Sequence, residues 1–181
     1  PFYCDDDSIS KYAIPIRPEF YNTLFKDGRL RTATLFDQTL TSINEIQGNS
    51  IRKAYISNTQ IKGLKKGDLL FFYSSKIRQV IEPIGVLDDV RFVTDYDELW
   101  DLVRKKTVYS EQKLKAWLEE KKQLHVIIFR LITYMKKEIS LKKIQKIDSF
   151  KNKLQTVTRL KEIDYIKLKD ENYFEPCYII D

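Results

Sequence analysis

Four short polar clusters, three at the ends of apolar segments and a fourth alternating along one strand face, hold most of the groups with which this chain could do chemistry. They are Lys53-Ala54-Tyr55-Ile56-Ser57, Phe72-Tyr73-Ser74-Ser75, Arg104-Lys105-Lys106-Thr107-Val108-Tyr109-Ser110 and Gln155-Thr156-Val157-Thr158-Arg159. Tyrosine rings can stack on a flat heterocycle, Ser, Thr and Gln can read its edge, and Lys and Arg can hold phosphate. Taken singly, Tyr55, Tyr73 and Tyr109 read as core-edge residues with satisfied hydroxyls. Taken together, the clusters predict one shared pocket. In it Tyr73 or Tyr109 would stack, while Ser57, Gln155 and Thr158 would hydrogen-bond. Lys53, Arg104 and Arg159 would neutralise phosphate, with Lys106 and Arg130 as further phosphate contacts.

Catalytic constellations are scarce by comparison. His125 is the single histidine, which removes an HExxH helix, a paired-histidine metal site and a Ser-His-Asp triad. It alternates with apolar residues in Leu124-His125-Val126-Ile127-Ile128-Phe129, the pattern of a rim or hydrogen-bonded histidine without a chemical role. Gly63 and Gly67 lack the order of a phosphate-binding loop or a dinucleotide fingerprint. Asp5, Asp6 and Asp7 could ligate a divalent cation, but a solvated, frayed N-terminus is the plainer reading. Asp88 and Asp89 read as a turn. Trp100 and Trp117 fall on apolar helix faces and read as core. No catalytic residue, metal or cofactor is expected.

Charge points the same way. The net charge is +6, and residues 101–161 carry 17 basic against 6 acidic groups, flanked by acidic ends. Such a segment suits a polyanion-binding face, although solvated lysine-rich helix faces would produce it as well. Cys4 and Cys177 are too few and too far apart in sequence for a metal knuckle and read as free thiols of a reducing cytoplasm. No apolar run reaches 18 residues, and the acidic start is unlike a signal peptide, so no membrane contact is expected.

The elements that must position the clusters follow from periodicity. Tyr12 to Ile16 reads as a short edge strand, because Pro15 cannot donate to a ladder, and Pro18 sits well at the first position of a helix. Residues 27–50 read as a long polar loop or flap. Residues 51–57 and 69–73 read as strands, with Gly67 at positive φ in the turn between them. Glu82 to Phe92 reads as a strand in which Gly85 marks a bulge or close approach. Thr94 and Ser110 are candidate N-caps. A buried strand is predicted over Leu124 to Leu131, a short helix from Ser140, a strand over Thr156 to Leu160 and a last turn or strand over Asp164 to Leu168. Strands with inserted short helices make a single α+β domain on an open or closed barrel, over residues 1–181.

The order of these motifs resembles the PUA-like superfamily of β-barrels, close to its EVE and ASCH branches. More narrowly, it resembles the PUA-like domain that follows an acetyltransferase domain in some archaeal and bacterial proteins. The matching residues are Ile14-Pro15-Ile16-Arg17-Pro18-Glu19-Phe20-Tyr21 with Leu24-Phe25, Ile51 to Ile56, Gly67 to Ser75 and Ile84-Gly85-Val86. Lys106 to Ser110, Val126 to Arg130 and Gln155 to Arg159 complete the set. The resemblance covers a core of about residues 12–168 and leaves the N-terminal segment and residues 27–50 peripheral. It implies an α+β pseudo-barrel whose cleft binds nucleic acid or a modified base, RNA ahead of DNA, without metal or cofactor. It places Lys53, Tyr55, Ser57, Tyr73, Ser74, Thr107, Tyr109, Gln155 and Thr158 in the pocket, and an acetyltransferase or other effector domain as a partner in cis or trans. The chain has no acetyl-CoA loop, so acetyl transfer does not carry over. Many relatives have an arginine after the tyrosine where this chain has Ser74. The alternative function is a regulatory domain that senses a small ligand or docks a protein.

Overall fold

Leu69 to Ser74 is apolar at almost every position, which demands a strand covered on both faces. The computed structural model, which describes residues 2–25, 51–57, 63–104, 109–151 and 154–180, supplies that cover. The elements run β1 (Tyr3–Cys4), β2 (Lys11–Ile16), α1 (Pro18–Leu24), β3 (Arg52–Ser57), β4 (Leu69–Ser74), β5 (Val80–Val93) and α2 (Tyr96–Val103). They continue with α3 (Glu111–Lys121), β6 (Leu124–Ser140), α4 (Leu141–Ile144), β7 (Thr158–Leu160), α5 (Glu162–Asp170), a 3-10 turn (Pro176–Tyr178) and β8 (Ile179–Ile180). Six strands form one mixed sheet in the order β3-β6-β5-β4-β2-β7, and β1 pairs with β8 in a second, two-stranded sheet.

Alternation along β4 sends Leu70 and Phe72 to one core and Leu69, Phe71 and Tyr73 to another. The first core is closed by Phe20, Tyr21 and Leu24 of α1, Leu99 and Val103 of α2, and Leu114 and Leu118 of α3. The second is closed by Ile144 of α4 and by Tyr165 and Leu168 of α5. The long antiparallel ribbon β5–β6 crosses between them. Val126 to Phe129 fill the first core, and Ile132, Met135 and Ile139 fill the second. Three register shifts along the ribbon let it bend. Gly85 lies at one of them, where a Cβ would come within 3.0 Å of the Arg130 carbonyl oxygen and of a Phe129 ring carbon. The close approach expected there is present.

β2 and β4 run parallel over Lys11–Ile16, whereas β7 pairs with β2 only over Lys11–Ala13. So Tyr12 to Ile16 is not the edge strand expected from Pro15. β7 covers its first half, and Pro15 lies beyond the end of that ladder, where no donor is required. The two ends of the sheet, β3 and β7, do not pair with each other. The Tyr55 hydroxyl of β3 donates to the Pro15 carbonyl oxygen of β2 at 3.3 Å and bridges the seam of this incompletely closed barrel.

Other expectations needed correction. The N-cap of α2 is Asp95, not Thr94, because the Asp95 carboxylate is the acceptor placed to take the Glu98 N–H, at 2.9 Å. Asp88 and Asp89 lie inside β5 at a bulge, not in a turn. Asp88, whose side chain is only 8 % exposed, accepts from Arg52 Nε at 2.6 Å and Arg130 Nε at 2.9 Å, so one carboxylate ties three adjacent strands. Of the three aspartates expected to be solvated at a frayed N-terminus, Asp6 and Asp7 are exposed, but buried Asp5 accepts from the Tyr165 hydroxyl and Lys169 Nζ, both at 2.8 Å. Lys11 is buried with its ammonium 2.7 Å from Glu162 and 4.7 Å from the centre of the Tyr165 ring. Pro18 at the start of α1, Gly67 at φ 96° and Ser110 as the cap of α3 are as expected. Residues 27–50 lie outside the described residues.

Candidate functional site

The unpaired seam opens into a cleft of about 790 Å³, within the roughly 300–1,000 Å³ range of small-molecule sites. Parallel β2 and β4 both end there, which brings Pro15 and Arg17 beside Tyr73, Ser75 and Lys76. β3 contributes Tyr55, Ile56 and Ser57 from the other side of the seam, and residues 154–157 form a third wall. Helices α3 and α4 add Trp117 and Ile144. The cleft therefore lies where both cores come to the surface, with Phe20 and Ile56 of the first core and Tyr73, Ile144, Phe150 and Leu154 of the second among its lining residues.

Its chemistry is one-sided. Phe20, Tyr55, Tyr73 and Trp117 provide aromatic surface, Gln79, Gln145 and Gln155 provide amides, and Ser57, Ser75 and Thr156 provide hydroxyls. Arg17 and Lys76 are the lining cations, and no carboxylate is among the described residues that line the cleft. Burial pushes the Tyr55 phenol up to about 12, with the Arg17 charge pulling the other way, and burial raises Tyr73 as well. Both stay neutral donors at physiological pH. Trp117 meets Phe20 edge-on at 5.7 Å, and the Lys113 ammonium lies 4.3 Å from the Phe20 ring centre and 5.2 Å from that of Trp117.

The turn joining β4 to β5 stands at the rim. Ser75 donates both its N–H and its hydroxyl to the Ile16 carbonyl oxygen, at 3.0 and 2.9 Å. Lys76 and Gln79 both have positive φ, 67° and 53°. Non-glycine residues adopt this region at a cost, and such positions concentrate at functional sites. Here two of them share one turn and both line the cleft.

Of the pocket residues expected from sequence, Tyr55, Ser57, Tyr73 and Gln155 line this cleft together. Lys53 and Ser74 are each 2 % exposed and do not line it. Tyr109 lies behind the wall, edge-on to Phe20 at 4.6 Å and 5.1 Å from Trp117, its phenol raised well above the ordinary value by burial. Thr158 is taken up in β7, where its hydroxyl donates to the Thr156 carbonyl oxygen at 3.0 Å. Arg104, Arg130 and Arg159 are exposed and do not line the cleft, with Arg104 near Asp101 and Arg130 on Asp88. Lys106 and Thr107 lie outside the described residues. His125 is buried on β6 with its ring 4.4 Å from that of Phe92. Trp117, read as core, lines the cleft instead, half-buried at its wall. Sequence reasoning missed Arg17, Lys76, Gln79 and Gln145. Only Lys76 and Gln79 left a signal: a glycine-free turn directly after the most apolar strand.

No protein-family model matches the sequence, and no curated protein matches it. Solved structures do. An ASCH protein from Zymomonas mobilis superposes with a TM-score of 0.64 at 14% identity, over 94% of this chain and 98% of that one. A hypothetical protein from Leishmania major gives 0.51 at 10% identity, over 91% and 94%. Protein PSPTO5229 from Pseudomonas syringae gives 0.50 at 10% identity, over 90% and 99%. The likeness is one of fold: the chain has the α+β, PUA-like architecture of the ASCH proteins.

Proposed function

We propose that this chain, which shares the PUA-like fold of the ASCH proteins, binds nucleic acid without catalysing a reaction on it. A base or modified base would enter the seam cleft, with RNA preferred to DNA. The observation that carries this reading is the composition of the cleft: stacking rings, three side-chain amides and two cations, with no carboxylate among the described lining residues. Aromatic rings accept the face of any base, amides can both donate to and accept from its edge, and cations neutralise the phosphates on either side. Tyr73, Tyr55 and Trp117 provide the stacking surface, Gln79, Gln155 and Ser57 the edge contacts, and Arg17 and Lys76 the phosphate contacts. The described lining residues include no carboxylate pair, and the one histidine, His125, is not among them.

The test is binding of short RNA and DNA, unmodified and modified, across a salt series. Affinity should fall as salt rises, and Tyr73→Ala should weaken binding by about 1–3 kcal/mol, the worth of one base–aromatic stack. Gln155 is exposed, so Gln155→Ala leaves the fold intact and should weaken binding independently. Absence of binding at low salt, or binding untouched by both substitutions, would overturn the proposal. The size of the cleft also favours a second reading, a sensor of a free nucleotide-like ligand. That reading predicts a ligand-dependent rise in Tm with little salt-dependent affinity for oligonucleotides.

A further inference from the structure

Ile77 is 76 % exposed, more than any other large apolar side chain among the described residues. It stands at the tip of the five-residue turn between β4 and β5, whose Ser75, Lys76 and Gln79 line the cleft. The turn is held from several sides. Ser75 is fixed to Ile16, and the Ile77 N–H donates to the Ser75 carbonyl oxygen at 2.9 Å. The Arg78 guanidinium reaches Glu82 at 3.0 Å and Glu138 at 2.8 Å. Two non-glycine residues at positive φ flank the tip. A fold that constrains a turn this heavily and then exposes a β-branched apolar side chain at its apex gains nothing in its own core from that residue. The side chain is stiff about χ1 and stands beside a lining cation, at the mouth of a cleft with stacking walls.

Resting on the reading of the cleft as a base pocket, we propose that Ile77 is a wedge and that the partner is a double helix from which one nucleotide is turned out. A base can enter a pocket of this kind from a duplex only by leaving its stack, and the vacated step must be filled or collapse. Apolar side chains inserted between base steps do this in proteins that distort duplexes. Ile77 takes the vacated step, Lys76 holds the adjoining phosphate, and Gln79 and Tyr73 meet the extruded base. Single strands need no wedge, so Ile77 separates duplex from single-strand recognition.

The experiment uses the full chain with a short duplex carrying 2-aminopurine opposite a mismatched base, and the same labelled strand alone. Wild type should bind the duplex and brighten the fluorophore as it unstacks. Ile77→Ala should lose about tenfold in duplex affinity, together with the brightening. Its affinity for the single strand should stay within about twofold, and Ile77→Leu should restore duplex binding. Being exposed, the position tolerates both changes without loss of fold. Equal weakening of duplex and single strand, an unchanged Ile77→Ala, or a wild type that binds single strands alone overturns the wedge while leaving the base pocket standing. A wild type that binds neither form overturns the base pocket and the wedge with it.

Discussion

Removing the two cations of the cleft should flatten the salt dependence of oligonucleotide binding by a calculable amount. Arg17 and Lys76 are both exposed and both line the cleft, and no carboxylate among the described lining residues offsets them. Each phosphate neutralised on a single strand contributes about 0.7 to the slope of log K against log salt, so two contribute about 1.4. Between about 50 and 200 mM salt this is roughly a sevenfold share of the wild-type loss in affinity. The double variant Arg17→Gln/Lys76→Gln should bind more weakly at low salt and lose that sevenfold share as salt is raised. The assay is fluorescence anisotropy of a labelled short RNA at several salt concentrations. The control is Lys65→Gln/Lys66→Gln, the same change of charge in the exposed turn at the opposite end of β4. An unchanged slope in the cleft variant, or the same flattening in both, would show that phosphate is held elsewhere.

Three further outcomes follow from the packing. Gly85→Ala drives a methyl against the Arg130 carbonyl and the Phe129 and Phe72 rings at 3.0–3.1 Å. It should cost about 1–3 kcal/mol in urea unfolding, and a loss within experimental error would mean that β5 and β6 can separate there. Tyr55→Phe removes the hydroxyl that bridges the seam to Pro15. At 3.3 Å the bond is long, so the loss should be about 0.5–1 kcal/mol, or about 2–4 °C in Tm at most, whereas a loss of several kcal/mol would assign Tyr55 a larger structural role. Burial holds His125 below its ordinary value of 6.5. As pH falls through 6.5 the unfolded chain takes up a proton that the folded chain refuses, so stability should decline from pH 7 to 5 by at most about 1.4 kcal/mol per unit. His125→Gln should flatten that slope, and an identical slope in the variant would rule His125 out as its source.

How far the fold could be read in the sequence depended on the distance over which each residue's environment was set. β4, the helix start at Pro18, the cap at Ser110 and the positive φ of Gly67 are decided within a few residues of chain, and they were legible. Asp5 and Asp88 were not, because their partners Tyr165, Lys169, Arg52 and Arg130 arrive from distant strands and helices. The length of β6 was hidden for a related reason. Bulges shift its register, and Lys136 to Glu138 are exposed, so alternation lapses while the ladder continues. In the site, Tyr55, Ser57 and Tyr73 showed as polar groups at the ends of apolar segments, and Gln155 as part of a polar alternation on one strand face. Arg17 and Gln145 did not, since only the failure of β3 and β7 to pair turns their segments toward a common space. The same alternation that put Lys53 beside Tyr55 could not show that Lys53 would be buried.

The central claim is that the seam cleft receives the base, and the two tryptophans offer the most direct measurement. Trp117 lines the cleft, whereas Trp100 packs in the first core and stacks on Tyr96 at 6.3 Å. In a titration of isotope-labelled protein with a short oligonucleotide, followed by amide and indole N–H correlation spectra, the Trp117 indole and the Gln79 and Gln155 side-chain amides should shift together. The Trp100 indole should stay in place. Shifts confined to backbone amides around Lys65 and Lys66, at the opposite end of β4, with the Trp117 indole and these glutamines unmoved, would contradict the account and move the binding surface to that end of the sheet.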